Sequence, residues 1–282
     1  MSGTGFYEPV RFSGFPEIKE SIVTGHLQAT FMVAPLAIAL RQQGAPIKIV
    51  YLGHRDGTAM MVHKDSHIYG IRDLKGRTIA IPTRYSNQFL ILYKSLRDNG
   101  LSLNDVHLVE MPPPDMPAAL YSRSVDAITS GEPFMAQTQI EKYGRVLYQA
   151  KDIWPNFISC VMVVHERVIR EHPEWVQQLV DGIARSGKWL DGGMDHRMLA
   201  AENVSKKYFN QRPELLRYVL SVPPDRITYS NLSLARKDFE MIEELATEAG
   251  VLKRPVSFDD YADTRFSEKA QDKQSYDWEG PK

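Results

Sequence analysis

The sequence predicts an α/β fold in which parallel strands are joined by crossover helices. Short apolar runs alternate with amphipathic helical stretches from residue 16 to residue 148. A strongly β-branched run follows at 158–164, and beyond it the pattern is helical as far as Ala249. At 282 residues and 43% hydrophobic, the chain is long enough for two medium domains and a substantial core.

Each element has a local reason. Residues 16–24 place Ile18, Ile22 and Val23 on one helical face, and Gly25 ends the helix. A short strand at 29–33 leads to Pro35, which opens a helix that Gly44 stops. Residues 47–52 and 59–62 read as buried strands. A short helix from Ile71 passes through Gly76 into a strand at 78–81, and Ser86 is placed to cap a helix over 87–99. Strands at 106–110, 125–129 and 146–148 alternate with helices at 115–121 and 132–142. The last helices are expected at 166–170, 173–190, 195–209, 213–219 and 235–249, with a polar tail after Phe266.

Composition excludes several function classes. Lys plus Arg number 34 and Asp plus Glu 35, so the net charge of −1 offers no basic excess for nucleic acid or an anionic membrane. The apolar stretch 31–40 is too short to cross a bilayer, and the opening residues show neither the basic nor the apolar region of a signal peptide. The single cysteine, Cys160, allows no internal disulfide and lies in an apolar strand, where a thiolate is disfavoured. The eight histidines show no zinc spacing, and neither a phosphate loop nor a Gly-x-Ser-x-Gly elbow is present. No catalytic residue, metal ligand or cofactor is therefore assigned.

Four segments in order, FSGFPEIKESIVTG (12–25) with Ala34-Pro35-Leu36, DLKGRTIAIP (73–82), MPPPDMPAAL (111–120) with VDAITSGEPF (125–134), and CVMVVHERVIREHP (160–173) running into GKWL (187–190), carry a resemblance. Together they resemble the periplasmic substrate-binding proteins of nitrate, sulfonate, taurine and bicarbonate ABC transporters, a superfamily that includes the thiamine-pyrimidine-precursor binders. The resemblance spans residues 8–250. It implies a type II periplasmic-binding-protein fold, with two α/β lobes joined by a two-strand hinge that close on a ligand. Lobe one is expected at 1–70 plus 162–265, lobe two at 71–161, and a C-terminal tail at 266–282. Against that pattern, the family's first strand-helix unit and the export signal ahead of it are expected to be missing. The implied function is capture of a small anionic molecule for a membrane permease, by a monomer outside the cytoplasmic membrane that catalyses nothing. Two rivals stand beside it: an enzyme on the same scaffold, in thiamine-pyrimidine or sulfur metabolism, and a cytoplasmic ligand-sensing module.

Ligands of open α/β sheets bind outside the carboxyl ends of strands, which selects the same loops as the resemblance. Arg84, Ser86 and Asn87 stand at a helix start suited to an anion, where nitrate-type binders have a histidine at the position of Asn87. Alternatively Ser86 only caps the helix and Arg84 is solvated. Gly131 and Glu132 form a second loop, in which Glu132 either meets a ligand cation or complements a helix dipole. Ser13 and Gly14, then Ala34 and Pro35, open helices of lobe one. His54 and Arg55 follow a buried strand and read either as ligand contacts or as a surface turn. Trp154 supplies an aromatic wall or ordinary packing.

Overall fold

Residues 7–205 and 211–272 are described by a computed structural model. The amphipathic stretches fold where periodicity placed them: α1 (Phe15–Val23), β1 (Ala29–Met32), α2 (Ala34–Gln42) and β2 (Ile47–Asp56) open the chain. β2 outruns its apolar core because His54 and Arg55 continue the ladder, opposite Cys160 and Ile158. A single residue, Gly57, then separates β2 from β3 (Thr58–His63). Asp56 and Gly57 both adopt left-handed backbone, with φ of 62° and 71°. A Cβ at position 57 would also lie 2.8 Å from Ile227 Cγ1, so glycine is required there.

The chain continues through β4 (Thr78–Ile81), α3 (Asn87–Asp98), β5 (His107–Glu110), α4 (Met116–Tyr121), β6 (Ala127–Gly131), α5 (Phe134–Ile140), β7 (Gly144–Gln149) and α6 (Ala150–Ile153). It returns along β8 (Ile158–His165). There follow α7 (Glu166–Glu171), α8 (Pro173–Asp191), α9 (Met194–Val204), α10 (Pro213–Ser221), β9 (Ile227–Thr228), α11 (Arg236–Glu248), α12 (Phe258–Tyr261) and α13 (Arg265–Asp272).

Two sheets result. The first has the order β1-β8-β2-β9, with every pairing antiparallel. The second has the order β5-β4-β6-β3-β7, parallel across β5-β4-β6 and antiparallel across β6-β3-β7. The parallel arrangement expected from alternation thus holds only for the three strands joined by helices. Only β3, the strand that enters the second sheet, runs against the others; β7, which leaves it, runs with β6 on the far side of β3.

The chain passes from the first sheet to the second at Gly57, since β3 pairs with β6 and β7. It rejoins the first sheet at Ile158, where β8 begins. The expected polar tail begins as a helix: Phe266 and Ser267 in α13 are buried, and Gln177 of α8 donates to the Phe266 carbonyl at 3.1 Å. The helix expected over 195–209 ends at Val204 or just beyond, and 206–210 and 273–282 lie outside the described residues.

The lobes are tied together beside the hinge. One apolar cluster contains Ile49, Leu52 and Val163 of the first sheet and Ile79 and Ile81 of the second. A smaller one joins Ala136 and Ile140 of α5 to Leu215 and Val219 of α10. Across α3 and α11, Arg97 meets Glu248 at 2.5 Å. The tightest tie is Glu132 with Arg226, an ion pair whose two side chains are each 2% exposed. Around it the Gly57 amide donates to the Arg226 carbonyl at 2.7 Å, and the Glu132 amide donates to the Gly57 carbonyl at 2.8 Å.

Removing one member of a buried pair strands the other charge and costs about 3–5 kcal/mol. Arg226→Met is expected to lose that much stability in urea unfolding. Adding Glu132→Gln is expected to recover a substantial part of the loss.

Candidate functional site

The carboxyl ends of β1 and β2 and the start of β8 meet the N-terminus of α3 from the other lobe. Asn87 makes the join: its side-chain amide donates to the Ile158 carbonyl at 2.5 Å and the Ser159 carbonyl at 3.3 Å. Asn87 is therefore buried and ties the two sheets' lobes together through its amide nitrogen, while its Oδ1 is buried without a hydrogen-bond partner. Ser86 is likewise engaged, accepting from the Phe89 amide at 3.1 Å and donating to the Thr83 carbonyl at 2.6 Å, which is the capping alternative. The Leu90 amide is taken by the Ser86 carbonyl at 3.2 Å. That leaves the first-turn amides of Asn87 and Gln88 without a partner within the helix, at its positive end.

The other helix starts differ. At α5, the Glu132 carboxylate accepts from the Ala136 amide at 2.8 Å while paired with Arg226, so this end already holds an anion. The carboxylate expected to meet a ligand cation or a helix dipole pairs in this structure with Arg226, beyond β8 in the chain. Gly131 lies half-buried at the end of β6, opposite Thr58. At α1, the Gly14 amide donates to Glu17 at 3.2 Å, and Ser13 beside it is exposed. Ala34 and Pro35 are buried at the start of α2.

Arg55 is engaged within the chain. It is buried and donates to the Asn231 carbonyl (2.9 Å), the Asn156 carbonyl (2.8 Å) and Asp238 (2.5 Å), so its guanidinium ties down two loops and α11. Arg84 has a half-exposed side chain 3.7 Å from Glu110, the solvated alternative. Trp154 is buried edge-to-face on Phe157 with ring centres 5.6 Å apart, the packing alternative.

His54 remains. Its backbone faces Cys160 across β2 and β8, and its ring centre is 6.2 Å from that of Tyr229. Burial lowers its pKa and favours the neutral imidazole. Burial pushes both the Cys160 thiol and the Tyr229 phenol up to about 12. Gly53 supports the neighbouring Phe31: a Cβ at 53 would lie 3.0 Å from two Phe31 ring carbons and 2.4 Å from Cys160 Sγ. Phe31, Gly53 and Tyr229 were not singled out by sequence reasoning, and Cys160 was weighed only as a nucleophile. Gly53 inside a strand was a usable signal of close approach, whereas nothing local marks Tyr229. No group of three or more His, Cys, Asp or Glu suited to a metal occurs among the described residues.

Phe31 and Cys160 meet at Gly53, His54 lies opposite Cys160 and beside Tyr229, and Asn87 of α3 bonds to the start of the same strand, β8.

Comparison with known proteins bears on this geometry. The model of the NMT1-like family matches residues 2–205. The riboflavin-binding protein RibY of Chloroflexus aurantiacus is 30% identical over 50% of this chain and 40% of its own length. The nitrate/nitrite-binding protein NrtA of Nostoc is 26% identical over 52% of this chain and 34% of its own. This chain thus spans less than half the length of these curated relatives. Among solved structures, the alkanesulfonate-binding protein SsuA of Xanthomonas axonopodis, bound to MOPS, superposes with a TM-score of 0.76 at 17% identity, covering 90% of this chain and 86% of SsuA. The desulfurization enzyme DSZB follows at 0.63 and 19%, covering 86% and 85%. These likenesses show the fold, the two-lobed one of ABC-type binding proteins, which an enzyme also uses.

A thiol raised to about 12 is almost wholly protonated at pH 8. Cys160 is expected to react with iodoacetamide about a thousandfold more slowly than a free cysteine, and at the ordinary rate after unfolding in urea.

Proposed function

We propose, from the premise that this chain belongs to the NMT1-like family, that it is the solute-binding component of an ABC importer. Its ligand is a small molecule bearing one oxyanion, of sulfonate, nitrate, bicarbonate or carboxylate type, held where α3 meets β8. The observation that carries this reading is the pair of free amides at Asn87 and Gln88, fixed over Ile158 and Ser159 by the Asn87 side chain. A helix N-terminus in a desolvated cleft stabilises an anion without any fixed cation. The buried arginines support the same view, since Arg55, Arg197 and Arg226 are each matched to a protein carboxylate. A neutral cleft of this kind suits a monoanion better than a multiply charged ligand.

On this reading the lobes divide at Gly57 and again between Gln149 and Ile158, and move as units about those crossings. The partner is a membrane permease that contacts both lobes outside the cytoplasmic membrane, and the binding protein acts as a monomer. Catalysis is disfavoured by the protonated state of Cys160, the one thiol at the site.

The test is a thermal-shift screen of the purified chain with nitrate, bicarbonate, taurine, alkanesulfonates and aromatic carboxylates. A ligand at a hundredfold excess over its Kd adds about 2.7 kcal/mol of stability. The expected result is a clear upward shift with at least one oxyanion, which mass spectrometry then recovers unchanged. No shift with any member, or a chemically altered ligand, contradicts the proposal.

A further inference from the structure

We infer that three partly exposed ion pairs form a salt-sensitive latch between the two lobes, which sets how readily they part. The inference goes beyond ligand capture and rests only on the reading that the parts on either side of Gly57 and Ile158 move as units.

Among the described residues, four ion pairs join the chain between those crossings to the chain beyond β8. One, Glu132 with Arg226, is buried. The other three are Arg97 of α3 with Glu248 of α11 at 2.5 Å, Lys151 of α6 with Asp225 before β9 at 2.5 Å, and Glu141 after α5 with Arg212 before α10 at 2.7 Å. Their side chains are between 23% and 71% exposed, so dissolved ions screen them and leave the buried pair alone. The pairs do not all run in one sense. Between the crossings the cations Arg97 and Lys151 belong to α3 and α6, which pack together, while the anions Glu132 and Glu141 flank α5. The chain beyond β8 supplies the complement of each. Neither face therefore carries an excess charge, and a shifted register would set like charges together.

Magnitude decides what such pairs can do. One exposed pair changes an equilibrium by only about 1.5- to fivefold. Three of them barely touch folding, whose equilibrium constant is on the order of a thousand to a hundred million. A hinge is different, because its minor state typically holds roughly 0.1–10% of molecules. Three pairs acting together move that balance by about threefold to a hundredfold. They are the right size to govern lobe separation and too small to govern the fold.

Spin labels on Gln43→Cys and Lys64→Cys test this, by pulsed electron resonance on the whole chain without ligand. Both residues are exposed and lie at the outer ends of β2 and β3, the strands that meet at Gly57. Cys160 stays unlabelled, because burial keeps its thiol protonated. Raising sodium chloride from about 0.1 M to about 1 M shortens the screening length from about 10 Å to about 3 Å. The expected result is a rise of about three- to tenfold in the share of molecules with widely separated labels. Arg97→Gln, Lys151→Gln and Arg212→Gln combined are expected to give that share already at low salt and to abolish the response. Arg97→Glu alone sets two glutamates together and is expected to widen the separation. Adding Glu248→Arg is expected to restore the natural distribution, which separates a lost pair from a damaged fold. A distribution that ignores salt overturns the inference, as does a swapped pair no better than Arg97→Glu alone. Since no ligand is present, either result leaves the oxyanion reading standing.

Discussion

The structure depends on how Glu132 and Arg226 are buried together beside Gly57. Two opposite charges with side chains each 2% exposed are tolerable only in register, because either one alone would be stranded away from water. Their partners complete the joint: Glu132 also accepts from the Ala136 amide, and Arg226 donates to the Val222 carbonyl and to Gln139. Since Glu132 belongs to the second sheet's lobe and Arg226 to the first, the pair sets the angle at which the two meet. The Gly57 amide and carbonyl are bonded to the same two residues, so backbone and side chains specify one geometry.

That geometry explains why one helix start out of several is available. At α1 and α5 a glutamate of the chain itself sits against the first-turn amides. At α3 the cap is a neutral serine, and the next residue is an asparagine whose side chain reaches across to β8. The positive end of α3 is therefore turned toward β8, and among the described residues no carboxylate is bonded to its first turn.

Much of the fold was legible in the sequence because it is written locally. Apolar spacing, Gly25, Gly44 and the Ser86 cap located α1, α2 and α3 within a residue or two. What failed has a common cause in distant partners. Arg55 read as a polar group at a strand end, yet the groups that claim it are 176 and 183 residues away. Glu132 finds its arginine 94 residues on. β9 is two residues long and exists only because β2 offers it an edge. α13 looked like a polar tail because its residues after Phe266 are mostly polar, while the helix that holds Phe266, α8, lies 89 residues back at Gln177. His54 was placed at the site by its position after a buried strand, whereas Phe31 needed the contact with Gly53 to become visible.

The most direct measurement is an amide proton–nitrogen spectrum of the labelled chain titrated with an oxyanion that binds. The account predicts that the largest shifts fall on the Asn87 and Gln88 amides, with Gly53 and Cys160 next. Shifts centred on any other helix start, with Asn87 and Gln88 unmoved, would contradict it.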